Sequence, residues 1–343
     1  MGRFLATAAT IVLCAPAAAQ SDPAAFYAGR QMTIIVASTP GGGYDTYARL
    51  VARHMPRHIP GDPRMIVSNM SGAGGNMAAS YIVNALPQDG AAMALVLPPT
   101  IMGGLYESVD KLKYDPAKLV HIGSANSEID MCFVRADSGI ASIADAREKS
   151  IILGGSAEGS VTRTQPAILN NLIGTKFRVV GGYPGTRQIF LAMESGEVQG
   201  VCGLSYSGML LQKPDWLANG FARMLVQGHM KGSAQVNKLG VPVAAQFARN
   251  EADLRAMELI FAQQDFGRPF VAAPGVPSER VAVLRKAFMA AMRDEALLKE
   301  AAAQKLDIDP LAGEELQALA AKLYTAPNSV IERAKDAQIY RAP

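Results

Sequence analysis

Five short apolar runs in this chain are each followed by a glycine-rich turn. The first run, residues 32–37, is rich in β-branched residues without polar alternation, which predicts a buried strand. The turn at residues 39–46 follows, and a helix is predicted from about Tyr44, because apolar residues then recur at helical spacing. The other turns lie at residues 71–76, 154–160, 181–186 and 203–208. The repeated order of strand, turn and helix predicts an α/β fold with parallel strands.

The same turns predict a binding site. The carboxyl ends of parallel strands share one edge of a sheet, where ligands bind. A glycine turn that opens a helix presents unpaired N–H groups, which attract anions. A single turn of this kind is best interpreted as a βα loop that binds no ligand. Five of them, each between a strand and a helix, favour an anion-binding protein. The turns have no nucleotide P-loop, no complete dinucleotide fingerprint and no Lys/Arg cluster, which favours a small carboxylate as ligand.

The first nineteen residues predict a signal peptide and therefore export. Arg3 precedes an apolar run at residues 4–15, and Ala17-Ala18-Ala19 fits a cleavage site. The run is too short for a permanent membrane anchor. We expect cleavage near Ala19.

Composition is that of a soluble globular protein, with 49% hydrophobic and 18% charged residues. The net charge of +3 is too small and too dispersed to indicate a nucleic-acid partner. A chain of 343 residues is long enough for two domains. We expect no nucleic acid, and a monomer.

Neither the histidines nor the cysteines indicate a metal site, and no cofactor is expected. His54 and His58 are four residues apart with Pro56 between them, so an exposed helix face is favoured over metal binding. Export would allow Cys132 and Cys202 to form a disulfide. Both lie in apolar, strand-like runs, and buried free thiols are the favoured interpretation.

The motifs together resemble those of the substrate-binding receptors of tripartite tricarboxylate transporters, the TctC or Bug family. Residues 40–49 (PGGGYDTYAR) are similar to the family's Pro-Gly-Gly-x-x-Asp-x-x-Ala-Arg. Asn69 with residues 72–76 (GAGGN), and then residues 87–90 (PQDG), form the second match. Further similarities are residues 114–116 (YDP), Gly185 with 196–198 (GEV), and 273–277 (APGVP).

The resemblance implies a type II periplasmic-binding-protein fold, in which two α/β lobes are joined by two crossing strands around a ligand cleft. Residues 1–19 would be the signal peptide, 20–128 plus 270–343 lobe one, and 129–269 lobe two. The helical pattern at residues 281–292 would pack on lobe one.

It also implies a set of ligand-binding residues. Backbone N–H groups of lobe one would hold a carboxylate, and they belong to Gly42, Gly43, Tyr44, Ala73, Gly74 and Gly75. Lobe two would supply the hydroxyl groups of Ser156, Ser160, Thr162, Tyr183 and Ser205. For Ser160 and Thr162, helix capping is an equal alternative.

Three charged residues near these turns are ambiguous. Asp45 is a candidate contact for a ligand with an amine or hydroxyl donor, but a structural role in the first helical turn is favoured. Arg163 and Arg187 could clamp a distal carboxylate, although solvent-facing positions are the commoner outcome.

The expected function is that of an exported, periplasmic solute-binding receptor, not an enzyme. It would capture a small organic carboxylate and deliver it to the membrane permease of a tripartite tricarboxylate-type transporter. A receptor for a sensor kinase is the alternative, and an exported enzyme is a weaker one, since no Gly-x-Ser-x-Gly elbow is present. Residues 182–185 and 241–245 depart from the family pattern in lobe two, which leaves the identity of the carboxylate open.

Overall fold

The computed structural model describes residues 23–343. Its strands are β1 (Gln31–Val36), β2 (Arg64–Asn69), β3 (Ala92–Leu95), β4 (Val120–Ser124), β5 (Asp130–Arg135), β6 (Ile151–Gly154), β7 (Phe177–Val180), β8 (Gly200–Ser205), β9 (Ala222–Gln227), β10 (Pro269–Ala272) and β11 (Leu311–Ala312). Its helices are α1 (Pro23–Tyr27), α2 (Gly43–His54), α3 (Asn76–Asn84), α4 (Pro98–Met102), α5 (Val109–Leu112), α6 (Ile143–Glu148), α7 (Val161–Ile173), α8 (Thr186–Ser195), α9 (Tyr206–Gln212), α10 (Ala234–Asn237), α11 (Glu251–Phe266), α12 (Ser278–Ala291), α13 (Glu295–Ala303), α14 (Gly313–Tyr324) and α15 (Asn328–Ala337). Within residues 23–343, no helix is both long and apolar enough to cross a membrane. The predicted signal peptide lies outside the described residues.

The first sheet has the strand order β11-β4-β10-β3-β1-β2. β1 pairs in parallel with β2 and β3, and β10 runs antiparallel between β3 and β4. β1 is apolar because helices cover both of its faces. Ile34 packs in one cluster with Leu50 of α2, and Ile35 packs in another with Ile82 of α3. The turns after β1 and β2 therefore leave the same edge of this sheet.

The second sheet has the order β7-β6-β8-β5-β9. β6 is parallel to β7 and β8, and β5 is antiparallel to β8 and β9. The three later glycine turns follow β6, β7 and β8, so they share one edge of the second sheet. The predicted α/β fold is confirmed, and its strands form two sheets.

The chain crosses between the sheets twice at one place. β4 leads into β5 through residues 125–129, and α11 leads into β10 through residues 267–268. The connections are hydrogen-bonded to each other: Ala125 N–H donates to the Arg268 carbonyl at 3.3 Å, and Arg268 N–H donates to Ser124 Oγ at 2.9 Å. The exact residue boundaries of the two lobes stay a prediction.

The C-terminal helices divide between the two sheets. As predicted, the helix that contains residues 281–291 packs on the first sheet, where Phe288 of α12 lies 5.1 Å from Phe270 between ring centroids. The last helix, α15, departs from the expected packing because it lies against α11 and α7. Arg333 of α15 donates at 2.7 Å both to the buried Asp253 carboxylate and to the Asn171 carbonyl. The end of the chain therefore covers the segment predicted as lobe two.

The expectation of two free thiols is wrong, because Cys132 and Cys202 form a disulfide. Cys132 lies on β5 directly opposite Cys202 on β8. Both residues are fully buried, as the apolar runs predicted. Their pairing depends on the register of two strands that are far apart in sequence, which the sequence pattern does not specify.

The predicted exposed face for His54 and His58 is also wrong. His54 is buried, and its Nε2 lies 2.6 Å from Glu300 on α13. His58 Nε2 lies 2.8 Å from Asp294, which caps the same helix. The two histidines therefore join α2 and the turn after it to α13, in place of a metal site.

His121 should make the fold sensitive to acid. Its ring is fully buried on β4 beside Phe266, and neither ring nitrogen has a hydrogen-bond partner among the described residues. Burial, assisted by the nearby Arg285 guanidinium, lowers the pKa of His121 from 6.5 to about 4. The unfolded chain therefore takes up a proton before the folded one does. Above pH 6.5, His121 is neutral in both states and costs the fold nothing. As the pH falls from 6.5 toward 4, the free energy of unfolding decreases by about 3 kcal/mol at most.

The check is urea unfolding of the wild type and of His121→Phe at pH 7, 5 and 4. We expect the stability difference between the two proteins to shift in favour of the variant by at least 1 kcal/mol toward pH 4, within the linkage limit. A difference independent of pH would contradict this assignment.

Removing the disulfide should destabilise the fold. The bond closes a chain segment with a sequence separation of 70 residues, so Cys132→Ala/Cys202→Ala should cost about 2–4 kcal/mol. Unfolding in denaturant with and without a reducing agent measures this cost. The reductant should lower the stability of the wild type and leave the double variant unchanged; equal stability of all four samples would show that the bond contributes nothing.

Candidate functional site

The first glycine turn offers free backbone donors at the start of α2. Gly42 is the N-cap of this helix, and no side chain caps it. The N–H groups of Gly42, Gly43 and Tyr44 have no hydrogen-bond partner within the part of the chain that the structure describes. Gly41 has φ +81°, which permits the sharp turn. The start of α2 therefore presents three adjacent N–H groups at the positive end of a helix dipole.

Asp45 stabilises this turn from the inside. Its buried carboxylate accepts hydrogen bonds from the Gly41 N–H at 2.8 Å, the Asn69 amide at 2.9 Å and the Arg49 guanidinium at 2.9 Å. The Arg49 contact is the strongest of the effects that lower the pKa of Asp45, and together they bring it to about 2. These contacts fulfil the favoured structural role. They also tie the first turn to the end of β2, where Asn69 lies.

The second glycine turn is an unusual backbone segment. Gly72, Ala73, Gly74 and Gly75 all have positive φ values, and residues 73–75 form a short 3-10 turn. The Gly75 N–H donates to the Gly72 carbonyl at 2.9 Å, so it is engaged within the turn. The N–H groups of Ala73 and Gly74 have no partner among the described residues. A Cβ on Gly75 would meet Thr100 Oγ1 at 2.6 Å, so this turn packs closely on the start of α4.

The hydroxyl candidates at the start of α7 form one cluster. Thr162 Oγ1 accepts the Ser156 N–H at 2.9 Å and lies within 3.0 Å of both Ser156 Oγ and Ser160 Oγ. Thr162 is 5% exposed, whereas Ser156 and Ser160 are half-buried. Ser160 is the N-cap residue of α7, but its side chain makes no capping bond. Thr162 therefore holds two more accessible hydroxyls in place.

The three turns of the second sheet meet around this cluster. The Gly182 N–H donates to the Ser156 carbonyl at 3.3 Å, which joins the first two turns. A Cβ on Gly203 would lie 2.6 Å from Val161, so the third turn packs on the start of α7. The predicted convergence is thus observed within this sheet.

The remaining candidates have other partners. Ser205 Oγ accepts the Gly208 N–H at 3.1 Å and caps α9. The Tyr183 hydroxyl donates to Glu197 at 2.5 Å; burial, followed by this carboxylate, raises the pKa of Tyr183 to about 12. Arg163 is half-buried, with its guanidinium against Gly181. Arg187 is exposed and has no ion pair within residues 23–343.

A cavity of about 250 Å³ lies between the two sheets beside the crossing segments. The first sheet contributes apolar surface from residues 97–99 and the Tyr44 ring, and Val161 at the start of α7 comes from the second. The rest of the wall comes from the crossing segments and the elements next to them, namely Glu128, Asp130, Gln263, Gln264 and Gly267. A neighbouring cavity of about 330 Å³ contains Ser205 and Glu128 in its wall.

Arg268 is a charged residue at this place that the sequence did not indicate. Its guanidinium binds both oxygens of Glu128, at 2.7 and 3.1 Å, and lies 4.3 Å from the centre of the Tyr44 ring. The side chain is 91% buried, and a Cβ on Gly43 would lie 3.7 Å from its Nη2. The partner of Arg268, Glu128, lies 140 residues earlier in the chain, so no local sequence pattern indicates this ion pair.

Comparison with known proteins identifies the fold. No family model matches this chain. A curated relative, the UPF0065 protein in the TAR-I ttuE-ttuC' intergenic region of Agrobacterium vitis, is 26% identical over 207 residues, which is 58% of this chain and 57% of the relative. A TctC solute-binding protein from Polaromonas aligns with 89% of this chain and 99% of its own, at a TM-score of 0.67 and 20% identity.

A second solved structure, MatC from Rhodopseudomonas palustris with bound malate, aligns with 90% of this chain and 99% of its own. Its TM-score is 0.56 and its identity 19%. The chain therefore has the fold of TctC solute-binding proteins, as the sequence motifs predicted.

Asp45→Ala should destabilise the protein by about 1–3 kcal/mol, because it leaves the Gly41 N–H without its acceptor and removes one of the two hydrogen bonds that the Asn69 amide donates. Since the folded pKa of Asp45 is lowered, its contribution is present above its ordinary pKa of 3.8 and is lost as the pH falls toward 2. Urea unfolding at pH 7 measures the cost. Asp137→Ala is the matched control, because it removes an exposed carboxylate that is also paired with an arginine. Equal losses in the two variants would contradict a special role for Asp45.

Proposed function

We propose that this chain is an exported solute-binding receptor that captures a small organic carboxylate in the cleft between its two lobes. The observation that carries the proposal is the row of unpartnered N–H groups at Gly42, Gly43 and Tyr44, next to a cavity between the sheets. Backbone donors at a helix start fit a carboxylate and need no basic side chain.

The carboxylate would dock first on the lobe that contains β1 and β2. Gly42, Gly43 and Tyr44 supply donors from one turn, and Ala73 and Gly74 supply them from the other. Gly75 acts differently from the expectation: its N–H is engaged, and it shapes the turn instead of contacting the ligand. Several charge-assisted hydrogen bonds of roughly 1.5–3 kcal/mol each can supply the ~8 kcal/mol of a micromolar affinity.

The second lobe would then close on the bound ligand. Ser156 and Ser160 are its accessible hydroxyls, Thr162 positions them, and Tyr183 and Ser205 lie on the other two turns of the same edge. Closure is driven by contacts that exist only in the closed state. Asp45 supports the first turn and touches the ligand only if the ligand carries a donor.

Delivery to the permease of a tripartite tricarboxylate-type transporter in the periplasm is the partnership we propose. It is supported by the shared fold with a TctC solute-binding protein and by the malate bound to MatC. A receptor for a sensor kinase is the alternative partnership. The structural neighbours are binding proteins, and we propose that this chain binds its ligand without turnover.

Gly43→Val tests the proposed donor turn. Valine methyl groups would press on the Arg268 guanidinium and displace the N–H groups, so binding should fall by at least 100-fold, about 2.7 kcal/mol. The protein from residue 20 onward is unfolded and refolded to remove carried-over ligand. It is then screened by thermal shift against C4–C6 carboxylates, acidic amino acids and aromatic acids, with calorimetry on each hit.

Ala52→Val is the matched control, because it adds methyl groups to the same helix away from the turn. We expect it to bind as the wild type does, and all three proteins to remain folded by circular dichroism. Wild-type affinity in Gly43→Val would remove the turn from the proposed site. A wild type that binds no carboxylate, or that converts one, would overturn the proposed function.

A further inference from the structure

Asp130 is a charged group in the cavity that the structure leaves without a partner. It is the first residue of β5, immediately after the crossing segment, and it lines the cavity of about 250 Å³. Its backbone is satisfied, since its N–H donates to Gln264 Oε1 and its carbonyl accepts the Gly228 N–H, both at 2.7 Å. Its carboxylate makes no hydrogen bond or ion pair within residues 23–343.

The charged groups around Asp130, the Tyr44 hydroxyl and the Gln264 amide are engaged elsewhere. Glu128 is neutralised by the bidentate contact with Arg268. The Tyr44 hydroxyl donates to the Gly267 carbonyl at 3.2 Å, and Gln264 Nε2 donates to the Gly228 carbonyl at 2.7 Å. Beyond Gly228, His229 is paired with Asp265 at 3.0 Å. Among the described residues that line it, the cavity therefore has one uncompensated carboxylate and no free cation to match it.

A half-buried carboxylate without a donor is unfavourable. Burial, and secondarily the charge of Glu128, raises the pKa of Asp130 to about 7. Near neutral pH the site can thus gain a full negative charge when a cation enters it. The missing partner is a group that the protein itself does not supply.

We infer that the ligand carries an ammonium group, which pairs with Asp130 while its carboxylate binds the glycine turns. This inference rests on the proposed function and specifies its substrate class as amino acids or other small ammonium-bearing carboxylates. An ammonium offers three donors and a positive charge at the place where both are lacking. A second carboxylate would instead face Asp130 at close range, and like charges there disfavour binding.

The cavity also limits the size of the ligand. Its apolar walls, from Leu97, Pro98 and Val161, suit a short methylene chain between the two charged ends. The Tyr44 residue joins both ends of the site, because its N–H belongs to the first turn and its ring lines the cavity.

The test compares ligands that match in length and differ in one group: one member of each pair carries an ammonium where the other carries a hydroxyl or a carboxylate. The pairs are aspartate with malate, 4-aminobutyrate with succinate, and 5-aminopentanoate with glutarate. Calorimetry on refolded wild type should show at least tenfold tighter binding of the amino partner in the best pair. In Asp130→Asn, affinity for that amino ligand should fall at least tenfold, and affinity for its dicarboxylate partner should not fall.

Asp309→Asn is the control for long-range charge, since Asp309 lines the neighbouring cavity and accepts from Ser127 Oγ. It should leave the preference unchanged. A measurement on the wild type alone is independent of how the variants fold: affinity for the amino ligand should rise from pH 6 to pH 8 as Asp130 ionises.

The two proposals fail differently. Tighter binding of the dicarboxylates, with affinity that rises toward pH 6, would show that Asp130 is protonated against a second carboxylate and would overturn this inference alone. Amino-ligand binding unaffected by Asp130→Asn would also overturn it. Absence of binding by either member of every pair would overturn the proposed function, and this inference with it.

Discussion

The ion pair between Arg268 and Glu128 is the interaction on which the arrangement of the site depends. Glu128 belongs to the first crossing segment and Arg268 to the second, so the pair joins the two connections between the sheets. The same guanidinium lies under the Tyr44 ring, at the start of the first glycine turn. One buried cation thus fixes the separation of the crossings and supports the first glycine turn, while its own charge is compensated by Glu128.

Local sequence patterns predicted the strands and helices well, but they did not predict contacts between residues that are distant in sequence. The strand predicted at residues 32–37 and the predicted start of α2 match the structure to within one residue, because short apolar runs and helical periodicity are properties of neighbouring residues. The Cys132–Cys202 disulfide depends on strand register, and the partner of His54 lies 246 residues later. The resemblance to a known family supplied the two-lobed arrangement, which no local pattern contains.

In the candidate site too, the sequence indicated residues but not their contacts. The sequence places the candidate hydroxyl groups on the turns of the second sheet. Only the structure shows that Thr162 is hydrogen-bonded to Ser156 and Ser160, and that the Gly75 N–H is engaged within its own turn. Nothing in the sequence marks Asp130, because an acidic residue before an apolar strand is ordinary. Its significance arises from what surrounds it: Glu128, the Tyr44 hydroxyl and the Gln264 amide each already have a partner.

The position of α15 has a consequence for how the protein reaches its folded state. This helix covers α7 and α11, and its Arg333 is one of two arginines on the buried carboxylate of Asp253. The second sheet is formed by residues 130–227, yet the surface behind it is completed by residues 328–337. During synthesis this unit therefore stays incomplete until residues 328–337 emerge, and a variant truncated before them leaves an apolar surface and a buried charge uncovered.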